Sequence, residues 1–215
     1  MHAEIIDYIR RNRVSTTEIA DCLNKSGVVP QVSALNRGHF CVGPVSWVYA
    51  WNETNWTIHE QIQALPEGRV VVATGIACGD RALIGDLVAK YLLLYRQAKA
   101  IVVEGAVRDA PRLIKENWPI WSKGTTPIGC FNHQPDALPN AELLAIGRRY
   151  EQAIAVCDDC GVVIIEKEFQ VPDFLEKLEW IEEQEDTWYD CINRRKWSTF
   201  DTVCLKKYLP EGKDP

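Results

Sequence analysis

The chain has 215 residues, 47% of them hydrophobic and 25% charged, which is enough apolar material to bury a substantial core as one large domain or a domain with an extension. A formal charge of −6 argues against direct nucleic-acid binding, which needs a basic face to neutralise phosphates. No apolar run approaches the roughly 20 residues that span a bilayer, and the N-terminus lacks the pattern of a secretory signal, so the expectation is a cytoplasmic protein with no membrane partner and reduced thiols.

In chain order, Ile5, Ile6 and Ile9 mark a first helix, and Ser15-Thr16-Thr17-Glu18 fits a capping box opening a second that runs to about Asn24. Gly27 and Pro30 prevent its continuation. Phe40 to Ala50 reads as a strand interrupted at Gly43-Pro44. Asn52 to Ala64 is polar, with Trp56, Ile58 and Ile62 on one helical face. His59-Glu60 within it lacks the second histidine of a zinc-protease motif, since position 63 is Gln63.

The most informative stretch is Val70 to Asp109. Val70 to Thr74 is almost wholly apolar and β-branched, as in a strand covered on both faces. Glycines at 75, 79 and 85 follow, then Leu83, Leu87, Val88 and Leu92 at roughly helical spacing, then a second strand from Ala100 to Val103. This is a βαβ unit of a parallel sheet, and it delivers Glu104 to Asp109 into the loop beyond a strand's carboxyl end, where sites in open α/β sheets form.

Downstream, Ala110 to Asn117 reads as a short helix, Trp118 to Trp121 as a brief strand, and Lys123 to Gly129 as a loop. Asn132 to Asn140 is a polar, proline-punctuated excursion. Tyr150 to Val156 and Gly161 to Ile165 form a hairpin around Cys157-Asp158-Asp159-Cys160, whose lone CxxC is a weak metal signal that reads most simply as a turn with two partly buried thiols. Phe174, Leu175, Leu178 and Ile181 define an amphipathic helix that becomes acidic from Glu182 to Asp186, before the basic run Arg194-Arg195-Lys196. Residues 1–170 are therefore read as an α/β domain and 171–215 as a helical extension suited to crossing another subunit.

Gly85-Asp86, the helix after it and Val102-Val103-Glu104-Gly105-Ala106-Val107-Arg108-Asp109 resemble the signature of the RraA-like family, which includes metal-dependent 4-hydroxy-4-methyl-2-oxoglutarate/4-carboxy-4-hydroxy-2-oxoadipate aldolases. Residues 78–86, 117–129 and 156–164 resemble further family segments in the same order. The 21 residues between Asp86 and Arg108 are one more than in the aldolase signature. Placed in the helix-to-strand turn, the extra residue leaves both ends in position; placed inside the helix, it would rotate Asp86 by about 100°.

The resemblance implies a swivelling β/β/α-type fold, a homotrimer or a hexamer built from trimers, and a class II lyase that cleaves a 4-hydroxy-2-oxo acid to pyruvate through a metal-stabilised enolate, with oxaloacetate decarboxylation as a related activity. It assigns Mg²⁺ or Mn²⁺ to Asp109 and substrate binding to Gly85, Asp86, Leu87, Val88 and Arg108. Asp86 and Arg108 are the catalytic pair, with Asp80 a second acidic candidate. A glutamate from a neighbouring subunit completes the family's site, and Glu185 or Glu182 lies in the corresponding region. The alternative is a non-catalytic regulator that binds a ribonuclease or another protein.

Overall fold

The computed structural model describes residues 1–135 and 140–209. Its contacts divide the chain into two units, Met1–Val171 and Pro172–Pro215.

The first unit is the mixed α/β structure that the sequence predicts. Two helices, α1 (His2–Asn12) and α2 (Thr16–Cys22), precede strands β1 (Ser33–Ala34) and β2 (Cys41–Trp51), helix α3 (Trp56–Gln61) and strands β3 (Val70–Ile76) and β4 (Ala82–Ile84). There follow α4 (Asp86–Lys90), β5 (Ala100–Val107), α5 (Ala110–Lys115), β6 (Ile120–Thr125), α6 (Asn140–Tyr150) and the hairpin β7 (Ile154–Asp158) and β8 (Gly161–Ile165). The strands form one sheet in the order β1-β6-β5-β3-β2-β7-β8, with β4 added beside β5.

This sheet curls into a nearly closed barrel. Val29 N–H donates to Val162 O at 2.9 Å, and the Trp121 indole donates to Asp158 O at 2.7 Å, joining β6 to β7. Side-chain alternation sorts the apolar strands into two cores. Val70, Val72, Val102 and Trp121 pack with Cys157 and Ile164, while Val71, Ala73, Ile101 and Val103 pack with Leu92 and Leu113 from helices. Both faces are covered, which accounts for the continuous apolar runs at 70–73 and 100–103.

Gly43-Pro44 does not interrupt β2. Cys41–Pro44 pairs antiparallel with β7, and Val45–Trp51 pairs parallel with β3. The dipeptide marks a change of partner: a Cβ on Gly43 would crowd Gly68 O at 3.2 Å, and Pro44 lacks the N–H that an uninterrupted ladder uses.

The capping box at Ser15 and Glu18 is present. Asp158 fastens α2 to the hairpin, accepting from Thr16 N–H at 2.8 Å and Thr16 Oγ1 at 2.7 Å. None of the eight cysteines forms a disulfide. Cys157 is buried in the barrel, where desolvation pushes its thiol well above the ordinary value, and Cys160 is exposed on the turn. The CxxC therefore splits between interior and surface, in place of two partly buried thiols.

Three readings of local structure change. Leu83, read with the helical spacing, belongs to β4, because its neighbours Ala82 and Ile84 pair with Ala106 and Val107. Leu83 fills the space left by two facing glycines: a Cβ on Gly75 would lie 2.8 Å from it and one on Gly105 2.9 Å. Replacing this buried side chain with alanine leaves a cavity, and Leu83→Ala is expected to lower unfolding free energy in urea by about 2–5 kcal/mol. Strand β6 runs on through Thr125, beyond the brief strand expected, by pairing with β5 as far as Val107↔Thr125. Tyr150 ends helix α6 rather than beginning a strand. The excursion read at 132–140 falls in part on 136–139, outside the described residues.

The second unit contains α7 (Pro172–Asn193), longer than the apolar spacing alone marks, and a short π-helical turn at Phe200–Cys204. Arg194 and Arg195 of the basic run pair with Asp190 at 3.4 and 3.1 Å.

Candidate active site

Parallel strands β4, β5 and β6 end at one edge, and the segments that follow them build a cleft of about 400 Å³. Gly85, Asp86, Leu87, Val88, Arg108 and Asp109 all line it. These residues come from the start of α4 and the loop after β5, which the βαβ connection brings side by side.

The backbone fixes the acidic pair. Asp109 follows β5 with φ 60° and ψ 29°, a left-handed conformation that aspartate tolerates better than most residues. Its Oδ2 accepts from Asp86 N–H at 3.2 Å and lies 3.6 Å from Arg108 Nε. Both contacts use Oδ2, so among the described residues Oδ1 is the oxygen left for a ligand. Asp86, with 19% of its side chain exposed, is held by Arg112 Nη1 at 2.9 Å. Leu87 and Val88 lie in the first turn of α4, where N–H groups have no carbonyl one turn back.

Arg108 and Asp109 retain 49% and 42% side-chain exposure. Their close neighbours are glycines. A Cβ on Gly85 would lie 2.5 Å from Asp109 Oδ2 and 3.0 Å from Arg108 Nε, and a Cβ on Gly129 would occupy the space of Arg108 Nη1. Glycines at both positions leave room for the Arg108 side chain beside the two backbones. Gly129→Ala is therefore expected to displace Arg108 while leaving the thermal midpoint nearly unchanged, because the atoms that must move end a flexible side chain. A misplaced reacting group typically loses about ten- to a hundredfold in rate, which steady-state kcat/KM would register.

The extra residue between Asp86 and Arg108 leaves both in this cleft. Helix α4 continues into a wider π-helical turn at Tyr91–Tyr95, closed by Arg96 N–H donating to Tyr91 O at 3.0 Å. A turn of this kind takes up one residue more than an α-helical turn spans, downstream of Asp86.

A second wall comes from residues that sequence reasoning did not select. Asn55 Nδ2 donates to Leu83 O at 3.0 Å and Asn132 Nδ2 to Asn55 Oδ1 at 2.8 Å, while the single Thr54 hydroxyl proton is shared between the carbonyls of Phe131 and His133, 3.0 and 2.7 Å from Oγ1. These bonds bring the loop after β6 against α3, so that Trp56, His59, Asn132 and Cys130 face the cleft. Desolvation lowers His59 from the ordinary imidazole value, leaving it largely neutral at pH 7. Arg81 donates to Gly129 O at 3.1 Å and lies 4.3 Å from the Phe131 ring, supporting the same loop. Asp80 is exposed on the preceding turn and does not line the cleft. Glu182 and Glu185 lie on α7 of the second unit.

The donor set has a definite character. Among the described residues no three histidine, cysteine, aspartate or glutamate side chains are grouped to hold a metal. A single exposed carboxylate with one anchored oxygen suits a hard cation such as Mg²⁺ or Mn²⁺, which takes one or two protein carboxylates and completes its coordination with water and substrate oxygens. Asp109 Oδ1 fits that role.

The RraA-like family model, described as Aldolase/RraA, matches residues 16–164. A protein of Bacillus anthracis, provisionally named a 4-hydroxy-4-methyl-2-oxoglutarate aldolase, is 39% identical over 75 residues, covering 35% of this chain and 46% of the relative. A similarly named protein of Halalkalibacterium halodurans is 31% identical over 126 residues, covering 56% and 58%. The chain spans about half the length of the curated relatives it matches. The crystal structure of Streptomyces coelicolor RraAS2, described as an unusual member of the RNase ES inhibitor RraA protein family, superposes with a TM-score of 0.65 at 21% identity, covering 89% of this chain and 96% of that one, which is a likeness of fold.

Proposed function

Since the chain belongs to the RraA-like Aldolase/RraA family, we propose that it is a divalent-metal-dependent lyase that cleaves a 4-hydroxy-2-oxo acid to pyruvate and a second carbonyl compound. The observation that carries this reading is the convergence of Arg108 and Asp109 with the first turn of α4 in one cleft.

The reaction requires a negative charge to be accommodated at the 2-oxo oxygen. Removal of the 4-hydroxyl proton lets C4 become a carbonyl as the C3–C4 bond breaks; the electron pair passes to the 2-oxo group, and protonation at C3 then gives pyruvate. Arg108 holds the 2-oxo acid end through its planar fork and places a cation where that charge develops. First-turn amides of Leu87 and Val88 orient the carboxylate. Asp86, fixed by Arg112, takes up the 4-hydroxyl proton directly or through a water, and Glu185 of a neighbouring copy is the family-based candidate for completing this proton path. Asp109 would hold the ion, which when bound supplies Lewis-acid charge at the substrate oxygens.

Oxaloacetate decarboxylation fits the same arrangement because loss of its CO₂ places the same charge on the pyruvyl unit. A homotrimer or hexamer supplies the neighbouring subunit that the Glu185 assignment needs.

Enolisation of pyruvate alone tests the reading. In D₂O with Mg²⁺ or Mn²⁺, the protein should exchange the pyruvate methyl protons for deuterium, followed by NMR, and EDTA should stop the exchange. Exchange no faster than the buffer's under every metal condition would refute the lyase and favour a regulator that binds a protein.

A further inference from the structure

The cleft continues past Asp86 into an annex of about 310 Å³, with which it shares His59, Leu87 and Val88. Ile62, Gln63 and Tyr91 complete the annex wall. Leu87 is 75% exposed at the junction, and Trp56 stands on the cleft side of it.

The charges are distributed unevenly. Arg108 is the cationic side chain among the described residues of the chain that line the cleft, and none of its described residues lining the annex is cationic. The neighbouring cation Arg112 is engaged by Asp86. His59 is the remaining titratable nitrogen, and it is largely neutral at pH 7. A substrate with a second carboxylate, placed beyond the pyruvyl end held by Arg108, would meet Leu87, Val88, Ile62, Tyr91, the Gln63 amide and neutral His59 there, with no cation to pair it. A carboxylate there loses part of its hydration without gaining an ion pair, whereas an alkyl or aryl group gains by leaving water.

Resting on the lyase reading above, we infer that the preferred substrate is a 4-hydroxy-2-oxo acid with a single carboxylate and an uncharged, apolar substituent at C4, seated in the annex beside Leu87. The pyruvyl end is then recognised by charge and the departing carbonyl compound by apolar contact. The second product is accordingly an aldehyde or ketone without a carboxylate.

The test compares pyruvate release from 4-hydroxy-2-oxo-4-phenylbutanoate and from 4-hydroxy-4-methyl-2-oxoglutarate, with Mg²⁺, using the wild-type chain and Leu87→Arg. The phenyl substrate should have a kcat/KM at least about tenfold higher, in line with what apolar pocket contacts discriminate. Leu87→Arg supplies a cation at an exposed position that tolerates the longer side chain, and it should shift the ratio toward the dicarboxylate by a similar factor. A wild-type preference for the dicarboxylate would overturn the inference and leave the lyase intact. Failure to cleave either substrate, with pyruvate exchange in D₂O retained, would likewise overturn only the C4 assignment; loss of exchange as well would remove the lyase reading with it.

Discussion

Arg108→Ala is expected to lower kcat/KM for pyruvate formation by about 10²–10³-fold, the range typical of removing one donor aimed at developing negative charge. The guanidinium is half exposed and its nearest charged partner is Asp109 at 3.6 Å, so the fold does not depend on it, and the variant's thermal midpoint should stay close to that of the parent. Arg108→Lys keeps the charge but not the fork. Lysine's point charge cannot reproduce bidentate contact with a planar oxo acid, so it should restore only a small part of the loss. Full recovery with lysine would mean that charge alone, and not geometry, is what position 108 supplies.

Asp109→Asn should have a comparable or larger effect through a different route. Asparagine retains a side-chain oxygen to accept from Asp86 N–H and adopts the left-handed backbone readily, so the loop should keep its shape. What disappears is the negative charge. A bound cation that polarises the substrate oxygens is worth several kcal/mol of barrier, so pyruvate release should fall by about 10³-fold. The same change should appear without turnover. Mn²⁺ at about a hundred times its dissociation constant stabilises a folded protein by about 2.7 kcal/mol, and the resulting rise in thermal midpoint should be present in the parent and absent in Asp109→Asn. A rise of equal size in both would remove Asp109 as the ion's ligand.

Much of this site is legible in the sequence because it is local. Asp86 follows a glycine at a helix start, and Arg108-Asp109 follows an apolar strand, so a right-handed βαβ connection alone places them at the same sheet edge. The fold class is legible for a related reason: runs such as 70–73 and 100–103, apolar at every position, describe strands covered on both faces. The barrel is less so. Nothing in Gly43-Pro44 distinguishes a broken strand from one that changes partners, since both call for a missing N–H and a small side chain.

The second wall of the cleft depends on long-range hydrogen bonds of Thr54, Asn55 and Asn132. In the sequence these are ordinary polar residues before a helix and after a loop. Their role emerges only when the loop after β6 folds back across 77 positions to meet Asn55. Leu83 illustrates the opposite difficulty. It fits a helical apolar spacing, but pairing of its neighbours with β5 and the space above Gly75 and Gly105 draw it into a strand. Tertiary context outweighs periodicity in so short a segment.

The most direct test is pyruvate release from a 4-hydroxy-2-oxo acid by the wild-type chain, followed with Mg²⁺, with Mn²⁺ and with EDTA, beside Asp109→Ala. Turnover should require the ion, stop with the chelator and be lost in the variant. Turnover that persists undiminished in EDTA or in Asp109→Ala would contradict the metal-dependent lyase.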